Sequence, residues 1–219
     1  MKKEITIEVP NNYSAITLRK YLKMQKDLET FNGDMEATTA ALFYHLCHIE
    51  PEMMKKIDTE TFIKIKEQLF GFIGKNDFEL IPFVTIDGVE YGFEPNLSQM
   101  AYGAYMDITK FGDLKINDDW AQVMSILYRP IDKKIGLNYS IEPYDGDIKP
   151  ELWLDVTMDV HFGAQFFFIN LLKELQISIL NSLKEKVEET SYKSILAKSG
   201  EVMQQSSYSP TMMLELLTK

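Results

Sequence analysis

The sequence predicts an α+β fold, mainly helical, with a central β-hairpin or small antiparallel sheet and a long C-terminal helix. Three features carry that expectation. The first third holds capped apolar runs of helical period, the middle holds an Asp-Gly pair between two β-rich runs, and a helical pattern extends from about Met158 to Glu188. Residues 1–188 are expected as a single α+β domain, and residues 189–219 as a C-terminal extension that packs on the body or on a partner.

Along the chain, EITIEV (residues 4–9) alternates in polarity and stops at Pro10, the pattern of a half-buried strand, with turn residues Asn11 and Asn12 behind it. A first helix is predicted over Thr17–Leu28, with Leu18, Tyr21, Leu22 and Leu28 near one face. Gly33 and Asp34 mark a break and an N-cap, and the run MEATTAALFYHLCHI behind them ends before Pro51. Pro51 opens a short helical turn. Asp58 is the expected cap of a further helix, with Phe62, Ile65, Leu69 and Phe72 at helical spacing and Gly74 as its end.

The period then changes. FVTI and VEYGF flank Asp87-Gly88, and this pair accepts the positive backbone angles of a type I′ hairpin turn. Past Pro95 a short helix opened by Ser98 is expected, then a helix over DDWAQVMSILY capped by Asn117 or Asp118 and terminated by Pro130. LNYSIEPYDGD reads as a short strand and turn. The C-terminal run is apolar first and charged near its end, so its first half should be buried and its second exposed. The last 30 residues are polar and Ser-rich, with one small apolar cluster from Met212 to Leu217. Ordering each residue costs on the order of 1–2 kcal/mol, so such a tail needs a surface to pack on. Truncation after Glu188 is expected to leave the body folded, by circular dichroism, while weakening assembly; global unfolding would make the extension part of the core.

Composition narrows the function. The chain has 219 residues, 45% hydrophobic and 26% charged, which is ordinary for a globular protein. Its 33 acidic and 23 basic residues give a formal charge of −10, and the basic ones are scattered; direct nucleic-acid binding needs clustered Lys and Arg and is disfavoured. The single cysteine, Cys47, has no intramolecular partner, and MKKEITIEVP lacks the apolar run of a signal peptide, which points to folding in a reducing cytoplasm. The stretch FFFINLLKELQISIL is interrupted by Lys173 and Glu174, whereas a membrane span needs about 20 predominantly apolar residues; no span is expected.

None of the polar residues falls into a spacing that local catalytic, metal or phosphate motifs require. His45 and His48 share a helical face, but Cys47 between them points elsewhere and no second ligand pair follows. His161 lies near Asp159, yet close neighbours on a helix diverge, and a structural histidine is the better reading. Glu142, Asp145 and Asp147 surround Gly146 as in part of a calcium loop, but Leu152 stands where the bidentate Glu belongs. Gly71 and Gly74 lack the Lys and Ser/Thr of a phosphate-binding loop. The aromatic set Tyr91, Phe93, Tyr102, Tyr105 and Phe111 has no interleaved cations for stacking on bases, so a core or a protein interface is its expected place. No catalytic residue, metal ligand or cofactor is assigned, and an enzyme is not expected.

Several stretches taken together resemble proteins of the structural gene blocks of tailed bacteriophages, especially phages of Bacteroidetes hosts. They are ITLRKYLKMQKDLE, IDGVEYGFEPNLSQMAYGAYMDI, WAQVMSILYRPI, and NYSIEPYDGD before an apolar helix, and their order covers residues 5 to about 180. The N-terminal third, with TLRKYL and then LCHIEPEMMKKID, is similar to baseplate-hub and tail-assembly-chaperone proteins of T-even-like phages. The resemblance implies assembly or structural work without catalysis and brings no catalytic residues with it. It stops at Glu188.

The expected function is therefore that of a non-enzymatic phage virion or tail-assembly protein, a structural subunit ahead of a transient chaperone. Its partners would be tail, baseplate or connector proteins, with self-association left open, and its place the virion and, during assembly, the host cytoplasm. Tyr102, Tyr105, Met212, Met213 and Leu216 are the candidate interface anchors. The rival is a small-molecule enzyme or binding protein whose site is dispersed in sequence, drawn from Asp107, Arg129, Asp145 and His161.

Overall fold

A computed structural model of the chain describes residues 6–31, 33–74, 78–111, 115–136, 138–171 and 177. It divides into two compact units, Met1–Phe166 and Phe167–Lys219. The first is α+β: helices combined with a four-stranded antiparallel sheet of order β1-β2-β3-β4.

The helices of the first third start where local chemistry dictates. Thr17 accepts the Lys20 N–H and opens α1 (Leu18–Thr30). Asp34 accepts from the Glu36 and Ala37 N–H groups and opens α2 (Met35–Cys47). Pro51 stands at the first turn of α3 (Pro51–Met54), and Asp58, through Thr61, opens α4 (Thr59–Ile73). These side chains satisfy N–H groups that the first turn leaves unbonded. In α4, Ile65, Leu69 and Phe72 are buried at the expected spacing while Phe62 is half-buried against Phe43, with ring centroids 5.0 Å apart. In α1, Leu18, Leu22 and Met24 are the buried residues, and Leu28 is half-buried.

Two expectations for this region need correction. Residues 6–9 join no strand ladder, although Thr6, Ile7, Glu8 and Val9 do alternate between exposed and half-buried. The Val9 carbonyl accepts from the Gln68 side chain of α4, so the alternation reflects one side of the segment facing the domain rather than sheet pairing. Asn12, read as a turn residue, caps a 3-10 turn over Tyr13–Ala15. The second correction is at His48, which the sequence pattern puts inside the helix. It adopts a left-handed conformation (φ 56°, ψ 32°) as the C-cap of α2 and ends it at Cys47.

The hairpin is as expected. β1 (Phe83–Ile86) and β2 (Val89–Phe93) pair around Asp87 (φ 51°) and Gly88 (φ 81°), two positive angles in succession. After β2 the chain leaves the sheet. Asn96 caps a 3-10 turn over Leu97–Gln99 that contains Ser98, and α5 (Tyr102–Lys110) begins only after Ala101. Asn117 bonds the Asp119 N–H just ahead of α6 (Trp120–Leu127), and neither Asn117 nor Asp118 is the cap residue, a position held by Asp119.

The largest departure lies at Pro130. It does not simply end a helix: α6 stops at Leu127, and β3 (Tyr128–Ile135) begins at once, with Pro130 opposite Tyr91. A proline disfavours helical angles in the residue before it, so Arg129 is driven extended and the chain turns directly from helix to strand. β4 (Asn138–Ile141) then returns along β3 past a register shift between Ile131 and Lys133. Tyr139 of β4 folds over Gly92 of β2; its hydroxyl donates to the Phe93 carbonyl (2.6 Å) and its ring meets Phe83 at 4.8 Å. A side chain at Gly92 would occupy the space of that ring, 2.7 Å from its Cε2.

The core is closed by α7 (Pro150–Leu154) and by a helix over residues 158–166, here α8. Trp153 of α7 packs on Tyr128 and Tyr91, at 4.9 and 5.8 Å between centroids, and Tyr128 packs on Phe93. The first and last parts of this unit are joined by an isolated bridge: Leu18 N–H donates to Val156 O (3.0 Å) and Met158 N–H to Ile16 O (2.7 Å). Phe162 of α8 meets Tyr13, Tyr21 and Phe78 within 5.5 Å. In the second unit residues 167–171 are helical. The remainder of the expected C-terminal helix and the extension lie outside the described residues, apart from Ile177.

At Gly163, α8 runs against the backbone of Glu79 and Leu80. An added Cβ would strike the Glu79 carbonyl oxygen and lie 3.3 Å from its carbon and 3.4 Å from Leu80 Cα. Alanine favours a helix over glycine by about 1 kcal/mol, but overpacking against backbone outweighs that. Gly163→Ala is expected to lower stability by about 2 kcal/mol, read from the urea midpoint; an unchanged or raised midpoint would show that segment 79–80 yields freely.

A candidate interaction surface on helix α5

Helix α5 buries one side and leaves the other bare. Ala104 is fully buried and Ile108 half-buried, one turn apart on the core side. Tyr102, Tyr105 and Met106, at i, i+3 and i+4, occupy the opposite side with exposures of 76%, 56% and 40%. Nothing in the helix itself requires two tyrosines in water.

The third side of α5 rests on the segment after β4. The Tyr144 ring lies 3.6 Å from where a Gly103 Cβ would stand, and its hydroxyl donates to Asp107 Oδ2 at 2.5 Å. Burial, reinforced by Asp107, pushes the Tyr144 phenol up to about 12. Asp107 also takes a bond from Lys110, and these two donors hold its carboxyl below the usual range. The Arg129 guanidinium sits 5.9 Å from the Tyr144 ring centroid.

Arg129 is in turn fixed from three directions. It donates to Glu94 Oε2 (2.6 Å), to the Ile126 carbonyl (3.1 Å) and to the Glu142 carbonyl (2.8 Å), with the Arg and Glu side chains 11% and 8% exposed. The pair ties β2, the end of α6 and the segment after β4 into one support. Glu94 was not singled out in the sequence; its signal, an acidic residue directly after an apolar strand end, is not distinctive.

The dispersed quartet is therefore only partly gathered. Asp107 bonds the Tyr144 hydroxyl, Arg129 lies over its ring, and Asp145 is its chain neighbour. His161 is elsewhere: fully buried, it accepts from Trp120 Nε1–H at Nδ1 (3.2 Å) and donates from Nε2 to the Trp153 carbonyl (3.1 Å). Burial pushes it down to about 4. It is a neutral core histidine, as expected. Asp159 does not bond it, and Asp159 Oδ1 is buried without a partner.

The other candidates resolve individually. His45 pairs with Asp27 at 2.6 Å between α2 and α1, while His48 approaches Lys20 at 3.4 Å. Cys47 is buried, which pushes its thiol up to about 11. Among the described residues no group of three His, Cys, Asp or Glu is placed to hold a metal. Asp145 accepts the Asp147 N–H around Gly146 (φ 88°), a polar turn beside exposed Glu142. Gly71 lies within α4 and Gly74 caps it.

Of the aromatic set, Phe93 belongs to the core, Tyr91 is half-buried against Trp153, Phe111 is half-buried at the end of α5, and Tyr102 and Tyr105 are exposed. Met106 completes their face and was missed, although its i+4 spacing from Tyr102 is visible in the sequence. Met212, Met213 and Leu216 lie outside the described residues. Among the described residues no helix is long and apolar enough to cross a membrane.

Comparison with known protein families, with curated proteins and with solved structures finds no match to this chain.

Proposed function

We propose that this chain is a non-enzymatic bacteriophage virion or tail-assembly protein that works by binding other phage proteins, as a structural subunit in preference to a transient chaperone. The observation that carries the binding role is the exposed Tyr102–Tyr105–Met106 face on a helix backed by the Tyr144–Asp107 bond and the buried Arg129–Glu94 pair. Aromatic side chains offer a large contact area with few rotatable bonds to freeze on binding, so on a supported helix they suit interface anchors. The likeness of residues 5 to about 180 to phage structural-gene products supplies the setting. Rigid backing favours a lasting contact, hence a subunit.

Mass spectrometry of purified virions and of assembly intermediates tests this. A subunit remains in the mature particle in stoichiometric copies, with tail, baseplate or connector components. A chaperone is found in intermediates alone, and absence from both overturns the assembly role.

A further inference from the structure

The α5 face lies beside a strip of carboxylates. The Tyr144 contacts with Gly103 and Asp107 place the segment 142–147 along one side of the helix, and Glu142, Asp145 and Asp147 on it are exposed. Asp147 is 3.5 Å from Lys149; among the described residues no ion pair holds Glu142 or Asp145. The helix that exposes two tyrosines and a methionine is thus flanked, through Tyr144, by a segment with two carboxylates outside any ion pair, on a chain of net charge −10.

That combination selects among occupants. A second copy meeting this face about a two-fold axis would bring the same carboxylates together, and like charges in a desolvating contact repel. Nucleic acid and anionic lipid are repelled for the same reason. A segment carrying arginine among apolar residues meets both halves of the surface. Guanidinium groups stack on tyrosine faces and bond carboxylates, while apolar neighbours cover Met106 and the ring edges.

We infer that the α5 face and the 142–147 strip form one docking surface for a basic, arginine-bearing amphipathic segment of a partner protein. This rests on the binding role proposed above and names the chemistry of its partner.

The test uses the full chain and two fluorescein-labelled helical peptides of one pattern, Leu/Arg and Leu/Glu, titrated by fluorescence anisotropy. The Leu/Arg peptide should bind and the Leu/Glu peptide should not. Tyr102→Ala with Tyr105→Ala should weaken binding about tenfold or more, and Glu142→Gln with Asp145→Asn several-fold. Glu60→Gln with Glu67→Gln on α4 should leave it unchanged, separating this surface from the general attraction of an acidic protein. Equal binding of both peptides, an equal effect of the α4 pair, or no effect of the tyrosine pair overturns the inference. Self-association in sedimentation that the tyrosine pair abolishes also overturns it, because the occupant would then be a second copy. If the Tyr102→Ala, Tyr105→Ala chain still enters particles like the unaltered one, the inference fails while the assembly role stands. If even the unaltered chain is absent from particles and intermediates, it is the assembly role that fails.

Discussion

Arg129→Met is expected to destabilise the protein by about 4 kcal/mol, since removing one member of a buried ion pair leaves the other charge uncompensated. Glu94 would keep only a 3.4 Å bond from the Asn96 N–H, in a side chain that is 8% exposed. The carbonyls of Ile126 and Glu142 would lose their guanidinium donors as well. Methionine retains much of the volume, so the loss would come from charge and hydrogen bonding rather than from a cavity. The double variant Glu94→Leu, Arg129→Met separates these contributions. Urea unfolding should show it recovering a large part of the loss, because a buried pair replaced by apolar groups is often close to neutral. A double variant as unstable as Arg129→Met alone would assign the cost to the two carbonyls instead.

The same pair explains why the site was only half legible. Capping is local, so Asp34 and Asp58 could be read directly, and Asp87-Gly88 fixed a hairpin for the same reason; Thr17, expected as the first helical residue, is instead the cap of α1. β3 was hidden because its proline reads as a helix stop, and Arg129's extended conformation depends on that proline as well as on Gly92 across the ladder. α7, with five residues, is too short for a periodic signal. The aromatic set could not be divided in advance: Tyr91 and Phe93 are drawn inward by β3 and Trp153, contacts between residues far apart in sequence. Tyr102 and Tyr105 remain outside because α5 already has a core side in Ala104 and a second support in Tyr144. The meeting of Asp107 and Arg129 around Tyr144 is likewise a tertiary fact, without which their roles cannot be assigned.

His161→Ala should cost about 4 kcal/mol at neutral pH, and the cost should shrink in acid. The substitution strands the Trp120 indole N–H in a fully buried site and opens a cavity between α6, α7 and α8, while the Trp153 carbonyl keeps a bond from the Val156 N–H. In the folded protein the ring is held neutral, with its unprotonated Nδ1 facing a donor; a proton there would set two N–H groups against each other in a buried site. Asp159 pulls the other way, but burial dominates and the histidine is pushed from 6.5 down to about 4. An unfolded chain therefore binds a proton that the folded chain refuses over that interval. Stability falls as pH drops from about 6.5 to about 4, by on the order of 3 kcal/mol from this group, and its contribution is constant outside the window. The variant lacks that term, so the gap in unfolding free energy between it and the unaltered chain should narrow by most of this amount between pH 7 and pH 4.5. A gap that stays constant would mean that water reaches the imidazole and that the Trp120–His161–Trp153 cluster is not closed to solvent.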